Sequence, residues 1–139
     1  MNKQNHDFLT IGRLAKQAEV GIDTIRFYER RGLLPEPART TAGYRLYRPD
    51  MIIRLRFIRR AKALGFSLDE IGTLLHLQNV SGSKSAVKKL TIDKLKEIEV
   101  KIADLSRMQN VLEKLVGECS GSGDIHGCPI IEALSSEDR

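Results

Sequence analysis

The chain has 139 residues, a length suited to one small domain with an appendage. At 41% apolar and 29% charged residues, with no tryptophan, it is too apolar to be disordered, and its cores must be built from Leu, Ile and Val. Its net charge of +5 is uneven: residues 1–66 carry 14 Lys and Arg against 6 Asp and Glu (net +8), and the remainder 9 against 12 (net −3). Eleven of the fourteen basic residues in the first part are Arg, the side chain that grips phosphate and guanine with two parallel hydrogen bonds. A basic head on an acidic tail points to a polyanionic partner, the plain alternative being a solvated Arg-rich surface. The longest run without a charged residue, Ile71 to Ser83, is too short to span a bilayer, and the opening MNKQNHDF has no apolar signal core. A cytoplasmic protein with no membrane association is expected.

In chain order, Thr10 is placed to cap a short helix from Ile11 to Ala18, with Ile11, Leu14 and Ala15 on one face. Glu19-Val20-Gly21 reads as a tight turn, and a second helix follows from about Asp23 to Arg31, ended by Gly32. Ile22, Ile25 and Leu33 are expected to face the first helix, leaving Thr24, Arg26, Tyr28 and Arg30 to project elsewhere. In a helix–turn–helix the second helix enters the major groove. The prolines of Leu33-Leu34-Pro35-Glu36-Pro37 break the helix, and Arg39 to Tyr47 reads as a short hairpin turning at Gly43. Arg39, Arg45 and Arg48 suit a wing against a sugar–phosphate backbone. Pro49 opens a helix to about Leu64 with Arg54, Arg56, Arg59, Arg60 and Lys62 expected on its outer surface. Ser67 and Glu70 form a capping box for a helix from Leu68 to about Leu77, on which His76 is packing or surface.

Residues 86–116 contain neither Pro nor Gly. Leu95, Ile98, Ile102, Leu105, Met108, Leu112 and Leu115 recur at steps of three and four, as in a coiled-coil seam. Nothing else in so short a chain can cover that seam along its length, so a second copy is the economical partner.

Past Gly117 the chain becomes Gly- and Ser-rich, and its two cysteines, Cys119 and Cys128, bracket eight residues. Pro129 starts a short helix to Leu134, placing Cys128 at a helix N-terminus, where free N–H groups lower a thiol pKa. Two thiolates across a flexible loop make a soft trap that selects copper(I), its heavier relatives or mercury(II) over hard cations. A disulfide, which a cytosolic setting disfavours, a redox switch, or buried apolar thiols are the competing readings. His126 is a possible third ligand that would suit zinc or another divalent ion, while Asp124 and Glu118 read as a charged flank.

Several strings resemble the MerR-type transcriptional regulators: Thr24-Ile25-Arg26-Phe27-Tyr28-Glu29, Gly32-Leu33-Leu34-Pro35, Arg39, Gly43-Tyr44-Arg45-Leu46-Tyr47 and Leu64-Gly65-Phe66-Ser67-Leu68. The likeness continues through the long helix to Leu134. It implies a mainly α protein: a winged helix–turn–helix DNA-binding head over 8–78, a linker over 79–85, an antiparallel coiled-coil dimerisation helix over 86–118, a metal loop and short helix over 119–134, and a tail over 135–139. Expected partners are a second copy, double-stranded promoter DNA with a pseudo-palindromic operator, and RNA polymerase. Expected DNA contacts are Arg13, Thr24, Arg26, Tyr28, Arg39, Tyr44, Arg45, Arg59 and Arg60.

Metal-sensing members carry this cysteine pair followed, as here, by Pro129-Ile130-Ile131-Glu132. Divalent-ion sensors add a third Cys from the start of the second chain's dimer helix, where this sequence reads Ser83-Lys84-Ser85. That departure favours copper(I), silver(I) or gold(I), with Lys84 or Lys88 offsetting the −1 charge of two thiolates and a monovalent ion. The eight-residue loop is instead that of some divalent sensors, which keeps zinc, cadmium, lead and mercury open. The resemblance also implies that metal capture shifts the final helix and makes the heads distort the promoter. No paired carboxylates, Ser–His–Asp set or phosphate loop points to an enzyme. The roughly twenty residues after the long helix are too few for a pocket-forming organic-effector domain.

Overall fold

The computed structural model describes residues 8–136. The chain divides into two compact units, one reaching Thr91 and the other starting at Ile92. Among the described residues no helix is long and apolar enough to cross a membrane.

The first unit opens with α1 (Ile11–Ala18), capped by Thr10, whose hydroxyl accepts from the Arg13 N–H at 3.3 Å. The turn that follows uses an unexpected residue: Glu19 adopts φ 59°, while Gly21 is the extended N-cap of α2 (Ile22–Arg30). The Glu19 conformation is the left-handed cap that closes α1, its N–H reaching the carbonyls of Ala15 and Lys16. Strands β1 (Ala38–Arg39) and β2 (Arg45–Leu46) pair antiparallel, with Ala38 opposite Leu46 and Arg39 opposite Arg45. An isolated bridge between Leu9 and Tyr47, two bonds of 2.8 Å, ties the base of this hairpin to the segment entering α1.

Helix α3 (Asp50–Ala63) and helix α4 (Leu68–Asn79) complete the head. The capping box on α4 forms as read, with Ser67 N–H donating to Glu70 at 2.7 Å and Glu70 N–H to the Ser67 hydroxyl at 3.1 Å. Leu14, Ile25, Leu55, Ile58 and Ile71, one or two from each helix, are fully buried and make a single core with Leu33, Leu34 and the Tyr47 ring. Ile22, expected against α1, is instead partly exposed beside Gly21 at the start of α2.

The long helix α5 (Lys84–Glu118) starts earlier than the periodicity suggested, because Ser83 caps it by accepting from the Ala86 N–H at 3.2 Å. Only residues 80–83 separate it from α4, and a Cβ at Gly82 would stand 2.7 Å from Leu77 Cδ2 and 3.2 Å from Leu77 Cβ and its carbonyl, so any larger residue would make Leu77 shift. In the second unit α5 continues to Glu118, and α6 (Pro129–Ser135) follows the cysteine loop. Along the seam Leu95, Ile102, Leu105, Met108 and Leu112 are exposed, while Ile98 and Leu115 are half-buried.

Candidate nucleic-acid interface and thiol pair

The helix–turn–helix and hairpin hold the head's cations in place. Arg13 on α1, Arg26 on α2, Arg39 on β1 and Arg59 and Arg60 on α3 are all exposed, and Tyr44 at the hairpin tip is 72% exposed. Thr24 is half-buried on α2. The hairpin turn is fixed by hydrogen bonds: Thr40 N–H to the Tyr44 carbonyl at 2.8 Å, Tyr44 N–H to the Thr40 hydroxyl at 3.1 Å, and Arg39 Nη1 to the Gly43 carbonyl at 2.8 Å. Arg59 pairs with Glu19 at 3.3 Å, and Arg31, outside the expected contact set, pairs with Asp69 at 3.0 Å and stacks over Phe27.

Two expected surface residues point inward. Tyr28, expected to face DNA, is 6% exposed and part of the core, since α2 buries the face shared by Ile25 and Tyr28. Arg54, expected on the outer surface of α3, is half-buried and donates from Nε to the Leu33 carbonyl at 2.9 Å. A residue that the sequence reading passed over, Glu29, is largely buried among these cations. It accepts from the Tyr47 hydroxyl at 3.0 Å and lies 3.8 Å from Arg45 Nε. Burial, reinforced by that hydrogen bond, pushes the Tyr47 phenol far above its ordinary range and keeps it a donor at any physiological pH. The available signal for Glu29 was a lone carboxylate inside an Arg- and Tyr-rich string.

In the second unit Cys119 follows the last turn of α5, and Cys128 is the N-cap of α6. Both are free thiols, half-buried. Gly127, at φ 74°, lets the chain turn sharply into Cys128. The peptide N–H groups of Ile131 and then Ile130, at the open end of α6, favour the Cys128 thiolate and hold its pKa below the ordinary thiol value, with a smaller contribution from the Cys119 thiol. Partial desolvation and the Glu132 carboxylate oppose that shift. The loop thus presents two free, half-buried thiols at its ends, Cys128 at a helix N-terminus that favours its thiolate, a donor pair whose chemistry fits a soft ion.

His126 does not join them. Its ring is 90% exposed, and both its backbone N–H (3.0 Å) and its Nδ1 (3.3 Å) face the Asp124 carboxylate. The cause is an Asx-type turn at Asp124, which holds the imidazole beside that carboxylate. Among the described residues no group of three or more His, Cys, Asp or Glu side chains is arranged to hold a metal ion. Lys84 and Lys88 lie in the first unit on the opening turns of α5, where they border an apolar groove of about 930 Å3 formed with Ile53, Phe57, Leu64 and Leu77.

Residues 9–78 match the family model described as MerR HTH family regulatory protein, and residues 52–115 that described as MerR, DNA binding. The chain belongs to the MerR family. This MerR chain is 42% identical over 135 residues to the mercuric resistance operon regulatory protein of Serratia marcescens, spanning 97% of this chain and 93% of that one. It is 41% identical to the HTH-type transcriptional regulator ZntR of Escherichia coli strain K12, spanning 89% and 90%. The crystal structure of the transcription regulator PbrR691 from Ralstonia metallidurans CH34 in complex with lead(II) matches it with a TM-score of 0.82 at 35% identity, over 91% of this chain and 99% of that one. The MerR regulator is thus mainly helical with a DNA-binding head, as its sequence strings implied.

Proposed function

We propose that this MerR regulator is a homodimeric, metal-responsive transcription activator in which Cys119 and Cys128 capture a soft ion, with mercury(II) as the first candidate. What supports the reading most is the pair of free thiols at the two ends of this loop, with Cys128 as the N-cap of α6, where the Ile131 and Ile130 N–H groups favour the thiolate. Two thiolates neutralise a divalent ion without help from a cation. The similarity across almost the whole chain to a mercuric resistance regulator, and the fold match to a lead(II)-bound regulator, support a divalent heavy metal over the monovalent ions first favoured by the missing third cysteine.

The exposed seam of α5 supports the dimer, since isolated it would leave five large apolar side chains in water. Antiparallel pairing sets the start of one α5 beside the end of the other, so Lys84 and Lys88 of one chain approach the thiol pair of the second. That placement supports a second reading, copper(I), silver(I) or gold(I), whose bis-thiolate site would carry −1 and gain from a nearby ammonium. In either case closing both sulfurs on one ion fixes the segment 119–128 and α6, and the heads grip promoter DNA differently for RNA polymerase. The ion can act only through a difference in affinity between the two conformations.

Reporter induction across mercury, zinc, cadmium, lead, copper, silver and gold salts tests the assignment. Induction by mercury at the lowest concentration supports the first reading; induction by copper and silver with none by mercury replaces it with the second. Cys119→Ser and Cys128→Ser should bind the promoter as wild type does and fail to induce; loss of promoter binding in both would overturn the division between grip and trigger.

A further inference from the structure

Glu29 stands where a DNA-binding surface has least use for a carboxylate, on the last turn of α2. Its side chain is 11% exposed. One oxygen, Oε1, accepts from Tyr47 Oη at 3.0 Å and faces Arg45 Nε at 3.8 Å; the other, Oε2, is buried with no hydrogen-bond partner among the described residues. Keeping a carboxylate there costs solvation that one neutral donor and a guanidinium beyond hydrogen-bond distance restore only in part, which points to a use for the group among its neighbours.

Those neighbours are in the wing. The hairpin has two residue pairs, too few to hold an orientation unaided. One of the pairs sets Arg39 directly opposite Arg45, like charges whose repulsion opens a ladder. Arg39 is restrained by the Gly43 carbonyl, a contact inside the hairpin. Arg45 is restrained by Glu29, a contact that crosses from the hairpin to α2. Because Glu29 faces Arg45 through Nε, the Nη donors remain for an outside acceptor, and a guanidinium held this way loses little further freedom on meeting a phosphate.

We propose that Glu29 is a positioning residue for DNA recognition: without touching DNA, it locks the wing to the recognition helix α2 and aims Arg45 at the phosphate backbone. The inference rests on the DNA-binding assignment of the family. It adds one buried charge to the Leu9–Tyr47 bridge and the buried Tyr47 ring that already tie the hairpin down, and makes the register of the head on its site depend on that charge.

The test uses the full-length homodimer, a duplex selected by the wild-type chain from a randomised library, and a scrambled duplex of the same composition. Glu29→Gln keeps an acceptor for Tyr47 and removes the charge. It should weaken binding to the selected duplex about tenfold and change binding to the scrambled duplex less than about twofold, because register is lost while net basic charge is not. In an Arg45→Ala background the same substitution should have no further effect beyond about twofold, the signature of action through Arg45. Tyr47→Phe, which keeps the ring and the carboxylate, should show a smaller selective loss of about threefold and supplies the readout if Glu29→Gln does not fold. Equal losses on both duplexes would reduce Glu29 to a structural residue. Equal gains would make it a repelling charge, and additive effects with Arg45→Ala would break the link; each overturns the proposal. If the wild-type chain selects no duplex at all, the DNA-binding assignment falls first and the proposal with it.

Discussion

Arg54 Nε donates to the main-chain carbonyl of Leu33 at 2.9 Å, tying the middle of α3 to the turn that ends α2. The carbonyl belongs to a buried residue, so without this donor it would be left unsatisfied. Arg54→Met, which keeps the aliphatic stem, should therefore cost about 1.5–3 kcal/mol of stability, read as a lower urea midpoint at unchanged slope. Arg56→Met, two residues on at an exposed position, should stay within about 0.5 kcal/mol of wild type. Equal effects at the two sites would show that the contact to Leu33 contributes nothing.

The capping box on α4 gives a second stability prediction. Ser67→Ala removes the acceptor for the Glu70 N–H and should cost about 0.5–2 kcal/mol, whereas Ser67→Asp restores an acceptor beside the positive helix end and should recover most of it. Amide exchange at Glu70 would report the local opening directly. An unchanged exchange rate in the alanine variant would dismiss the cap as an energetic feature.

Leu105 sits near the middle of the α5 seam at 63% exposure. If the proposed homodimer forms through this seam, Leu105→Lys places a charge against the second helix and should convert dimer to monomer in sedimentation, with loss of helix content in the second unit and little change in melting of the head. A variant that still sediments as a dimer would move the interface elsewhere.

The low pKa of Cys128 fixes the sign of a pH effect. The N–H groups of Ile131 and Ile130 at the start of α6, and to a lesser degree Cys119, favour its thiolate in the folded chain, so this contribution to stability is present above the ordinary thiol pKa and lost as pH falls through the lower folded value. Alkylation by iodoacetamide at neutral pH should therefore modify Cys128 before Cys119, and Cys119→Ala should slow it. Uptake of mercury(II) at pH 7 should release fewer than two protons per ion, measured by calorimetry in buffers of different ionisation enthalpy. Release of two full protons would mean that Cys128 behaves as an ordinary thiol.

The parts of this MerR regulator that were legible in advance are those governed by near neighbours in the chain. Thr10, Ser67 and Glu70 cap helices because a cap needs only the three residues after it. The three-and-four spacing from Leu95 to Leu115 defines a helix face whatever covers it, and two cysteines on a loop of eight residues are never far apart. The tertiary structure alone decided which way individual side chains turned. Tyr28 and Arg54 are amphipathic, and packing between helices, invisible to periodicity, drew both inward. His126 faces Asp124 rather than the cysteines because the Asp124 side chain accepts from its N–H in a local turn, a choice between two neighbours at equal spacing that sequence could not make. Glu29 meets Tyr47 and Arg45, eighteen and sixteen residues on, and only folding brings them to one carboxylate.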